Sequence, residues 1–482
     1  MSYEPVIGLE IHAQLRTETK IFCGCRTAFA AAPNTEVCPV CLGLPGALPV
    51  LNRRAVELAV TAALALHGTV HGRSIFARKN YFYPDLPKGY QISQYDQPLS
   101  TGGWVDVGAA AGASRVRLTR IHLEEDAGKS LHHGFADSDR STYLDFNRSG
   151  VPLIEIVTEP DLRSAADAAA CFAQLRDVLV ATGVTDGNME EGSLRCDANV
   201  SVRPAGRAAF GTKTEIKNVN SFRYVQKAIE FEIARHVAVL EAGGVVRQET
   251  RLWDSDTGGT VSMRTKEDAD DYRYFPEPDL PPLEIDAAWV DRLRASLPEL
   301  PDARERRFVA EYGLTAYDAE VLVRLLVGAA DYFEAVVRAG ASPKSASNWI
   351  QGEVRRKLKG LGRDDLAGVP VTAEALAELA TLTEQDIVSS TVAKDVFEAM
   401  WTSGRSARAI IDAGGLAQTA DAGQLAALVA DVMRRHADVV AQYRAGKTAT
   451  FGFLVGQAVK ASQGKANPKV LTDLMRRALD AR

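Results

Sequence analysis

The chain has 482 residues, of which 46% are hydrophobic and 24% are charged, and its formal net charge is −6 at pH 7. This composition is typical of a globular protein and excludes a disordered chain, while the negative total argues against a protein that coats nucleic acid indiscriminately. No apolar run approaches the ~20 residues that a membrane-spanning helix needs, and residues 1–5 lack the basic start of a signal peptide. We therefore expect a cytoplasmic protein without membrane contact.

The first predicted element is a strand over residues 7–15, where apolar residues alternate with polar or small ones. Side chains of a strand point alternately to its two faces. Ile7 and Leu9 therefore share an apolar face, and Glu10 and His12 share the polar one. A carboxylate and an imidazole on alternate residues can bind one Mg²⁺ or Zn²⁺ ion together. The alternative is an ordinary half-buried strand whose outer face is solvated.

Four of the six cysteines follow this strand, in one Cys-x-Cys and one Cys-x-x-Cys pair separated by twelve residues. Such pairs place four thiolates for a tetrahedral Zn²⁺, and disulfides are rare in the cytoplasm. A closed set of four sulfur ligands leaves no open coordination position, so the ion should be structural. The predicted zinc ligands are Cys23, Cys25, Cys38 and Cys41.

Residues 78–91 form a predicted loop that interleaves cations, aromatic rings and turn residues. Such a loop can stack a base or ribose and place a lysine on phosphate oxygens. Lys79 and Tyr81 are the candidates for that contact. The alternative is a well-packed aromatic loop. The chain contains neither G-x-x-x-x-G-K-[ST] nor G-x-G-x-x-G, so any nucleotide must bind without those phosphate-binding loops.

Further segments combine acids and cations on one face of a predicted strand. Residues 121–129 contain three consecutive acids followed by Gly-Lys, and residues 193–203 alternate without interruption. Glu155 stands alone in an apolar run, where a carboxylate is costly unless it is paired or bound to a metal. Together these faces predict a concave site for Mg²⁺ and phosphates; the alternative is a set of solvated sheet faces. The polar side chains concerned are Glu124, Glu125, Arg195, Asp197, Asn199, Arg203, Lys213, Glu215 and Lys217.

The residues up to about 290 mix strands, loops and a few helices, whereas the sequence beyond about 300 is helical and Ala-rich. The prediction is an α+β protein with one boundary near residue 295 and another near residue 403. Helices are predicted in the first part over residues 53–66, 164–182 and 222–241. In the second part, Thr315 and Thr383 are each followed three residues later by Asp, which predicts a helix start at both.

The C-terminal segment differs in charge from the rest of the chain. Residues 401–482 contain 12 Lys and Arg against 6 Asp and Glu, a net charge of +6, so the remainder carries −12. A basic segment on an acidic body is typical of contact with nucleic-acid phosphates; the alternative is the solvated faces of amphipathic helices. The cations that such a contact would use include Arg434, Arg435, Lys460, Lys465, Arg476 and Arg477.

Five long motifs, in the same order along the chain, resemble the B subunit of the glutamyl/aspartyl-tRNA amidotransferase. They are Gly-Leu-Glu-Ile-His at residues 8–12, Arg-Lys-Asn-Tyr-Phe-Tyr-Pro-Asp at 78–85, His-Leu-Glu-Glu-Asp-Ala-Gly-Lys at 122–129, Glu-Gly-Ser-Leu-Arg-Cys-Asp-Ala-Asn at 191–199 and Asp-Asp-Tyr-Arg-Tyr-Phe-Pro-Glu-Pro-Asp at 270–279. The resemblance covers the whole chain.

The resemblance implies three domains. Residues 1–292 would form a cradle-shaped catalytic domain with a mainly antiparallel sheet similar to that of glutamine synthetase, and would carry the zinc site, which part of the family retains. Residues 293–404 would form a helical domain. Residues 405–482 would form a small tail domain of the YqeY type that binds tRNA.

The resemblance also implies a reaction. Such an enzyme uses ATP to phosphorylate the side-chain carboxylate of glutamate or aspartate on a mischarged tRNA, and ammonia then displaces the phosphate. A separate amidase (glutaminase) A subunit would supply the ammonia, and a small C subunit would complete a heterotrimer. The implied Mg²⁺ ligands are Glu10, His12, Glu124, Glu125 and Glu155. The residues implied for ATP or for the carboxylate are Lys79, Tyr81, Arg195, Asp197 and Lys213.

Two other functions remain open from the sequence. One is a zinc-bearing RNA-binding scaffold without catalysis, against which Glu155 and the acidic run at 122–126 argue. The other is a free-standing ATP-dependent ligase that amidates a small carboxylate, against which the basic tail argues. Dependence of ATP hydrolysis on charged tRNA separates both from the amidotransferase.

Overall fold

A computed structural model describes residues 2–108, 114–132, 134–265, 272–324, 326–363, 365–418, 422–462 and 466–481. Asp270 and Asp271 of the last motif, and Lys465 of the basic tail, lie outside these residues. The architecture is α+β, as predicted, and divides into two compact units, Met1–Leu300 and Pro301–Arg482. Within the described residues, no helix is both long and apolar enough to cross a membrane.

The first unit contains most of the β structure. Its strands are Tyr3–Gln14 (β1), Thr69–Val70 (β2), Arg73–Ser74 (β3), Ala77–Asn80 (β4), Tyr90–Ser93 (β5), Ser100–Thr101 (β6), Trp104–Val107 (β7), Ser114–Glu125 (β8), Lys129–Leu131 (β9), Tyr143–Asp145 (β10), Pro152–Thr158 (β11), Leu194–Pro204 (β12), Thr214–Val219 (β13), Glu249–Asp254 (β14), Gly259–Thr265 (β15), Phe275–Pro276 (β16) and Leu283–Glu284 (β17). Its helices are Arg53–Ala65 (α1), Ala165–Ala181 (α2), Phe222–Glu241 (α3) and Ala287–Ala295 (α4). The three helices predicted here are confirmed to within one residue at each end.

One 10-stranded sheet organises the described part of this unit, in the order β15-β14-β13-β12-β1-β11-β8-β6-β2, with β7 also paired to β8. Its neighbours run antiparallel except for the parallel pair β13 and β14. A smaller sheet, β16-β4-β5, and two strand pairs, β9 with β10 and β3 with β17, complete the β structure. The strand that the sequence predicts over residues 7–15 is thus the C-terminal part of β1, which ends one residue earlier, at Gln14.

Alternation explains which face of the sheet is buried. Ile7, Leu9 and Ile11 of β1 are fully or almost fully buried in a core that α1, α2 and α3 complete. Ser164 is the N-cap of α2 and accepts a hydrogen bond from the Asp167 N–H, which is the contact that the capping-box spacing of these two residues predicts. The opposite face of the central strands carries the polar side chains.

The second unit is helical over its described residues. It contains Pro301–Tyr312 (α5), Ala316–Arg324 (α6), Ala329–Arg338 (α7), Pro343–Trp349 (α8), a π-helical turn at Ile350–Val354, Arg355–Gly360 (α9), Ala373–Glu384 (α10), Ser390–Ser403 (α11), Ala407–Gly414 (α12), Ala422–Arg435 (α13), Ala437–Arg444 (α14), Thr450–Ala461 (α15) and Pro468–Asp480 (α16). Two separate hydrophobic clusters lie in this unit, and Ala407 and Ile411 of α12 belong to the first. The second cluster begins only with α13, and the three-domain division stays a prediction.

The predicted helix start at Thr315 is confirmed, whereas the one at Thr383 is wrong. Thr315 accepts a hydrogen bond from the Asp318 N–H at the start of α6. Thr383 lies in the last turn of α10, where its hydroxyl donates to the Leu379 carbonyl. Asp386 adopts a left-handed conformation with φ of 55° just beyond that helix, so the pair marks an end rather than a beginning.

Candidate active site and metal centres

Strand register aligns four chemically active side chains in one row across the polar face of the sheet. His12 of β1 lies opposite Glu155 of β11 on one side and opposite Arg195 of β12 on the other. Glu155 in turn lies opposite His122 of β8. Residues directly opposite in an antiparallel pair project from the same face and lie close together. The row therefore reads His122, Glu155, His12, Arg195 over four adjacent strands.

Three of the predicted magnesium ligands converge beside this row. The His12 Nε2 lies 3.7 Å from the Glu124 Oε1 and 4.0 Å from the Glu155 Oε2. One ligand atom from each of the three lies within 4.8 Å of the other two. Mg²⁺ is commonly held by one or two carboxylates and completes its coordination with water and substrate phosphates. Two carboxylates and one imidazole at this separation fit such an ion.

His122 is a member of this cluster that the sequence analysis did not assign. It is buried, and its Nε2 lies 3.1 Å from the Glu155 Oε2 and 3.7 Å from the Glu124 Oε2. Burial alone lowers the pKa of His122, but Glu155 and Glu124 outweigh it and raise that pKa to about 9. The same contacts hold the pKa of the Glu155 carboxyl well below its usual range despite its burial. His122 stands two residues before Glu124, so the alternation of the strand was a signal that could have identified it.

Glu10 and Glu125 lie outside this trio. Glu10 shares the face of His12, but its carboxylate accepts a 2.8 Å hydrogen bond from the side-chain amide of Asn199. Glu125 is the immediate neighbour of Glu124 and therefore points to the other side of β8. There it forms an ion pair with Lys88 and accepts a hydrogen bond from the Ile92 N–H at 2.9 Å.

Lys79 and Tyr81 approach the acidic cluster from the small sheet. The Lys79 Nζ lies 4.9 Å from the ring centre of Tyr272 and 6.0 Å from that of Tyr81. Burial lowers the pKa of Lys79, but Tyr274, Glu124 and Glu155 outweigh it and raise that pKa above its usual value. The ammonium is therefore held in its charged form beside aromatic rings. That arrangement suits the binding of a phosphate group. The phosphate would then supply part of the negative charge that the acidic side chains supply to the Lys79 ammonium.

Asp126 anchors Arg195, and it too was missed as a site residue. It is buried, receives Arg195 Nη2 on both oxygens at 3.1 Å, and accepts a 2.8 Å hydrogen bond from the Gln14 amide. The Arg148 Nε lies 3.7 Å away. Although burial raises the pKa of Asp126, the two guanidinium groups outweigh it and lower that pKa. Arg195 thus keeps a defined position one strand away from His12.

The remaining predicted polar residues occupy the neighbouring strands. The Lys217 Nζ donates to Asp197 at 2.5 Å and lies 3.1 Å from Glu215, so Asp197 is already paired. Lys213 lies just before β13 begins and is exposed. Gln14, Arg148 and Ser193 line a cavity of about 420 Å³ at the end of the polar face. That volume is within the range of small-ligand sites.

The four clustered cysteines also meet in space. Their sulfur atoms all lie within 4.8 Å of one another, and those of Cys38 and Cys41 are 3.9 Å apart. Sulfurs bound to one tetrahedral Zn²⁺ are about 3.8 Å apart, given Zn–S bonds of about 2.3 Å. The arrangement fits zinc and leaves no position for a substrate.

Two family models match the chain. The model described as the GatB/GatE catalytic domain matches residues 5–291, and the one described as the GatB domain matches residues 331–479. The first match contains the whole polar face of the large sheet and the cysteine cluster.

Several relatives match over the full length, and each is named as the B subunit of an aspartyl/glutamyl-tRNA(Asn/Gln) amidotransferase. The protein of Chlorobium phaeobacteroides is 55% identical over 480 residues, and that of Geotalea daltonii is 53% identical over 481. The protein of Halorhodospira halophila is 54% identical over 482 residues. These alignments cover 99–100% of this chain and 100% of each relative.

Proposed function

We propose that this chain, which belongs to the family of aspartyl/glutamyl-tRNA(Asn/Gln) amidotransferase B subunits, amidates the side chain of glutamate or aspartate on a mischarged tRNA. The products are Gln-tRNA(Gln) and Asn-tRNA(Asn). The observation that carries this proposal is the convergence of His12, Glu124 and Glu155, with the charge of Lys79 acting on the two carboxylates.

The reaction has two steps. A carboxylate oxygen of the aminoacyl group attacks the γ-phosphorus of ATP, so that ADP leaves and an acyl phosphate forms. The nitrogen of ammonia then attacks the acyl carbon, the carbon–oxygen bond to phosphate breaks, and the nitrogen loses a proton. The first step brings two anions together, so it requires cations at the reacting oxygens.

We assign His12, Glu124 and Glu155 to the magnesium ion, which supplies positive charge to the phosphate oxygens. His122 orients Glu155 through their 3.1 Å contact. Glu10 is a further proposed ligand because it projects from the same face two residues before His12. Glu125 is not proposed as a ligand, because Lys88 already pairs with it.

The cationic side chains have separate proposed roles. Lys79 binds ATP phosphates from the aromatic side, with Tyr81 beside it as a wall of the nucleotide site. Arg195, held by Asp126, orients the substrate carboxylate next to His12. Asp197 and Lys213 are assigned to substrate or nucleotide positioning, Asp197 together with its partner Lys217.

The proposal includes partner subunits, as the resemblance to the family implies. The word "subunit" in the relatives' names supports a multi-subunit enzyme. We propose that a separate amidase subunit releases ammonia from glutamine, that a small third subunit completes a heterotrimer, and that the complex works in the cytoplasm. We further propose that Cys23, Cys25, Cys38 and Cys41 bind one structural Zn²⁺.

The basic tail is proposed to bind the body of the tRNA. Arg434 and Arg435 are 76% and 70% exposed, and both lie within 3.1 Å of Asp431. Asp431 therefore partly neutralises the charge of both guanidinium groups until tRNA phosphates displace it. Contacts of this kind add affinity without reading the base sequence.

One experiment tests the proposed function. The purified complex is given ATP, glutamine and either Glu-tRNA(Gln) or Asp-tRNA(Asn), and both ADP release and amide formation are measured. We expect ATP hydrolysis to require charged tRNA. Binding of tRNA without ATP hydrolysis would instead indicate a scaffold, and tRNA-independent amidation of a free amino acid would indicate a stand-alone ligase.

A further inference from the structure

Lys20 is a buried cation in a place where no carboxylate neutralises it. Its side chain has 0% exposure. Within the described residues, the Lys20 Nζ has no carboxylate within ion-pair distance. It donates instead to the Glu36 carbonyl at 2.7 Å, the Phe146 carbonyl at 3.4 Å and the Cys41 sulfur at 3.6 Å. Lysine is almost never fully buried without a partner of opposite charge.

The cysteine cluster with zinc bound would supply the negative charge that no carboxylate supplies to Lys20. Four thiolates around one Zn²⁺ leave the group with a net negative charge, and Cys41 is one of the four. Glu125, the nearby carboxylate, is already paired with Lys88. A positive charge and a negative group that are both buried stabilise each other strongly, because little water screens them.

The backbone around Lys20 joins the cysteine cluster to the segment at residues 146–150. The Lys20 N–H donates to the Cys25 carbonyl at 2.9 Å, and the next N–H, of Ile21, donates to the Gly150 carbonyl at 2.9 Å. Gly150 has φ of 82°, and a Cβ there would lie 3.4 Å from the Cys41 Cβ and 3.6 Å from the Lys20 Cδ. Those distances are ordinary van der Waals contacts, so it is the left-handed backbone conformation of residue 150 that favours glycine there.

The same segment reaches the candidate active site. Gly150 donates its N–H to the Asp126 carbonyl at 2.9 Å, and the Arg148 guanidinium lies 3.7 Å from the Asp126 carboxylate. Asp126 in turn holds Arg195. A continuous set of contacts thus runs from the cysteine cluster, through Lys20 and residues 146–150, to the polar face of the sheet.

We propose that Lys20 is the counter-charge of the zinc-thiolate group and the positioning residue that ties this group to residues 146–150. The inference rests on the proposed zinc site. The N–H···S contact from Lys20 lowers the negative charge on the Cys41 sulfur, and this helps the cluster to retain the metal. Its contact with the Phe146 carbonyl transmits zinc occupancy to the segment that carries Arg148.

Two variants of the full zinc-loaded chain test this role. Lys20→Met removes the charge and keeps most of the side-chain length, whereas Lys20→Arg keeps the charge. The rate of zinc release into an excess of a chromogenic chelator is measured at neutral pH. We expect Lys20→Met to release zinc on the order of 10–100-fold faster than the wild type, the usual effect of losing a hydrogen bond to a metal ligand. Lys20→Arg should lie between the two.

The matched control is Lys88→Met, which removes another lysine of low exposure (7%) whose partner is a carboxylate rather than a thiolate. Lys88 packs against Gly43, close to the cluster, so we expect its loss to speed zinc release much less than the loss of Lys20 does. Hydrogen exchange of residues 146–150 should accelerate more in Lys20→Met than in Lys88→Met. If Lys20→Met does not yield folded protein, Lys20→Gln, which keeps a donor without charge, undergoes the same measurements.

The outcomes separate this inference from the zinc assignment. Wild-type protein without zinc would overturn the zinc assignment itself. Wild-type protein that holds zinc, with Lys20→Met releasing it equally slowly, would overturn only the role of Lys20. Equally faster zinc release in Lys20→Met and Lys88→Met would also overturn the role of Lys20, because the loss of any buried lysine charge would then have the same effect.

Discussion

Replacing Glu155 by Gln tests whether the row of side chains across β8, β11, β1 and β12 is the catalytic site. The substitution keeps the size and shape of the side chain and removes its charge. The carboxylate lies 3.1 Å from the His122 Nε2 and 4.0 Å from the His12 Nε2. Its pKa is well below the usual range, so it is ionised at neutral pH and its charge is what the variant loses.

The expected effect follows from these contacts. Glu155 is one of two carboxylates in the proposed magnesium site, and removing a preorganised charge that acts on the transition state costs about 2.7–4 kcal/mol, or roughly 10²–10³-fold. Without Glu155, the pKa of His122 falls, because Glu155 is one of the two carboxylates that raise it. We expect a loss on the order of 100-fold.

The assay measures acyl-phosphate formation, as ADP released in the presence of charged tRNA, over a series of Mg²⁺ concentrations. The half-saturating Mg²⁺ concentration should rise, while glutamine hydrolysis by the proposed amidase subunit should persist. The control is Glu159→Gln, the same change four residues later, where the carboxylate accepts a hydrogen bond from Thr119 at 2.9 Å. Near-normal rates and Mg²⁺ dependence in Glu155→Gln would refute the proposed site.

Three further predictions concern the metal, the tail and the core. Metal analysis should find one zinc per chain; its removal should increase hydrogen exchange over residues 20–45 and lower stability more than activity, and either zinc-free protein or a disulfide within the cluster would contradict this. Deleting residues 422–482, which leaves α12 in its core, should raise the KM for charged tRNA severalfold and weaken its salt dependence; unchanged tRNA binding at ~0.15 M salt would contradict a role in binding. Glu232, with 0% exposure, lies 2.7 Å from Arg235 and 3.1 Å from Arg251, so Glu232→Gln should lower the free energy of unfolding by about 3–5 kcal/mol at pH 7. Since the folded-state pKa of Glu232 is lowered, its contribution is present above the unfolded-state pKa and disappears as pH falls through the folded-state value; a pH-independent difference between the two proteins in denaturant titrations would contradict this reasoning.

Local patterns identified most of the individual elements. The alternation over residues 7–15 predicted both faces of β1, and the helix predicted over residues 222–241 has the bounds of α3. Such patterns depend on interactions within a few residues, so they predict local structure without tertiary information. They failed at Thr383, because the same Thr-x-x-Asp spacing lies at the end of α10, where helix contacts from the preceding turn decide its conformation.

The distribution of the acidic side chains required the tertiary structure. From the sequence, Glu124 and Glu125 were equivalent candidates for Mg²⁺. In the structure only Glu124 joins His12, because adjacent residues of a strand face opposite sides and Lys88 neutralises Glu125. Asp126 had no assigned role, since its function as the anchor of Arg195 depends on a residue 69 positions away.

The sequence by itself determined the α+β class, the family and the polar face of each strand, and it predicted the proposed cysteine ligand set, because these depend on residue identity and on spacing within a segment. The tertiary structure decided which polar faces meet. The register of β8, β11, β1 and β12 places His122, Glu155, His12 and Arg195 side by side, although the other three lie more than 100 residues from His12. Register depends on hydrogen bonds and core packing between distant segments, and a shift by one residue would turn every one of these side chains to the opposite face.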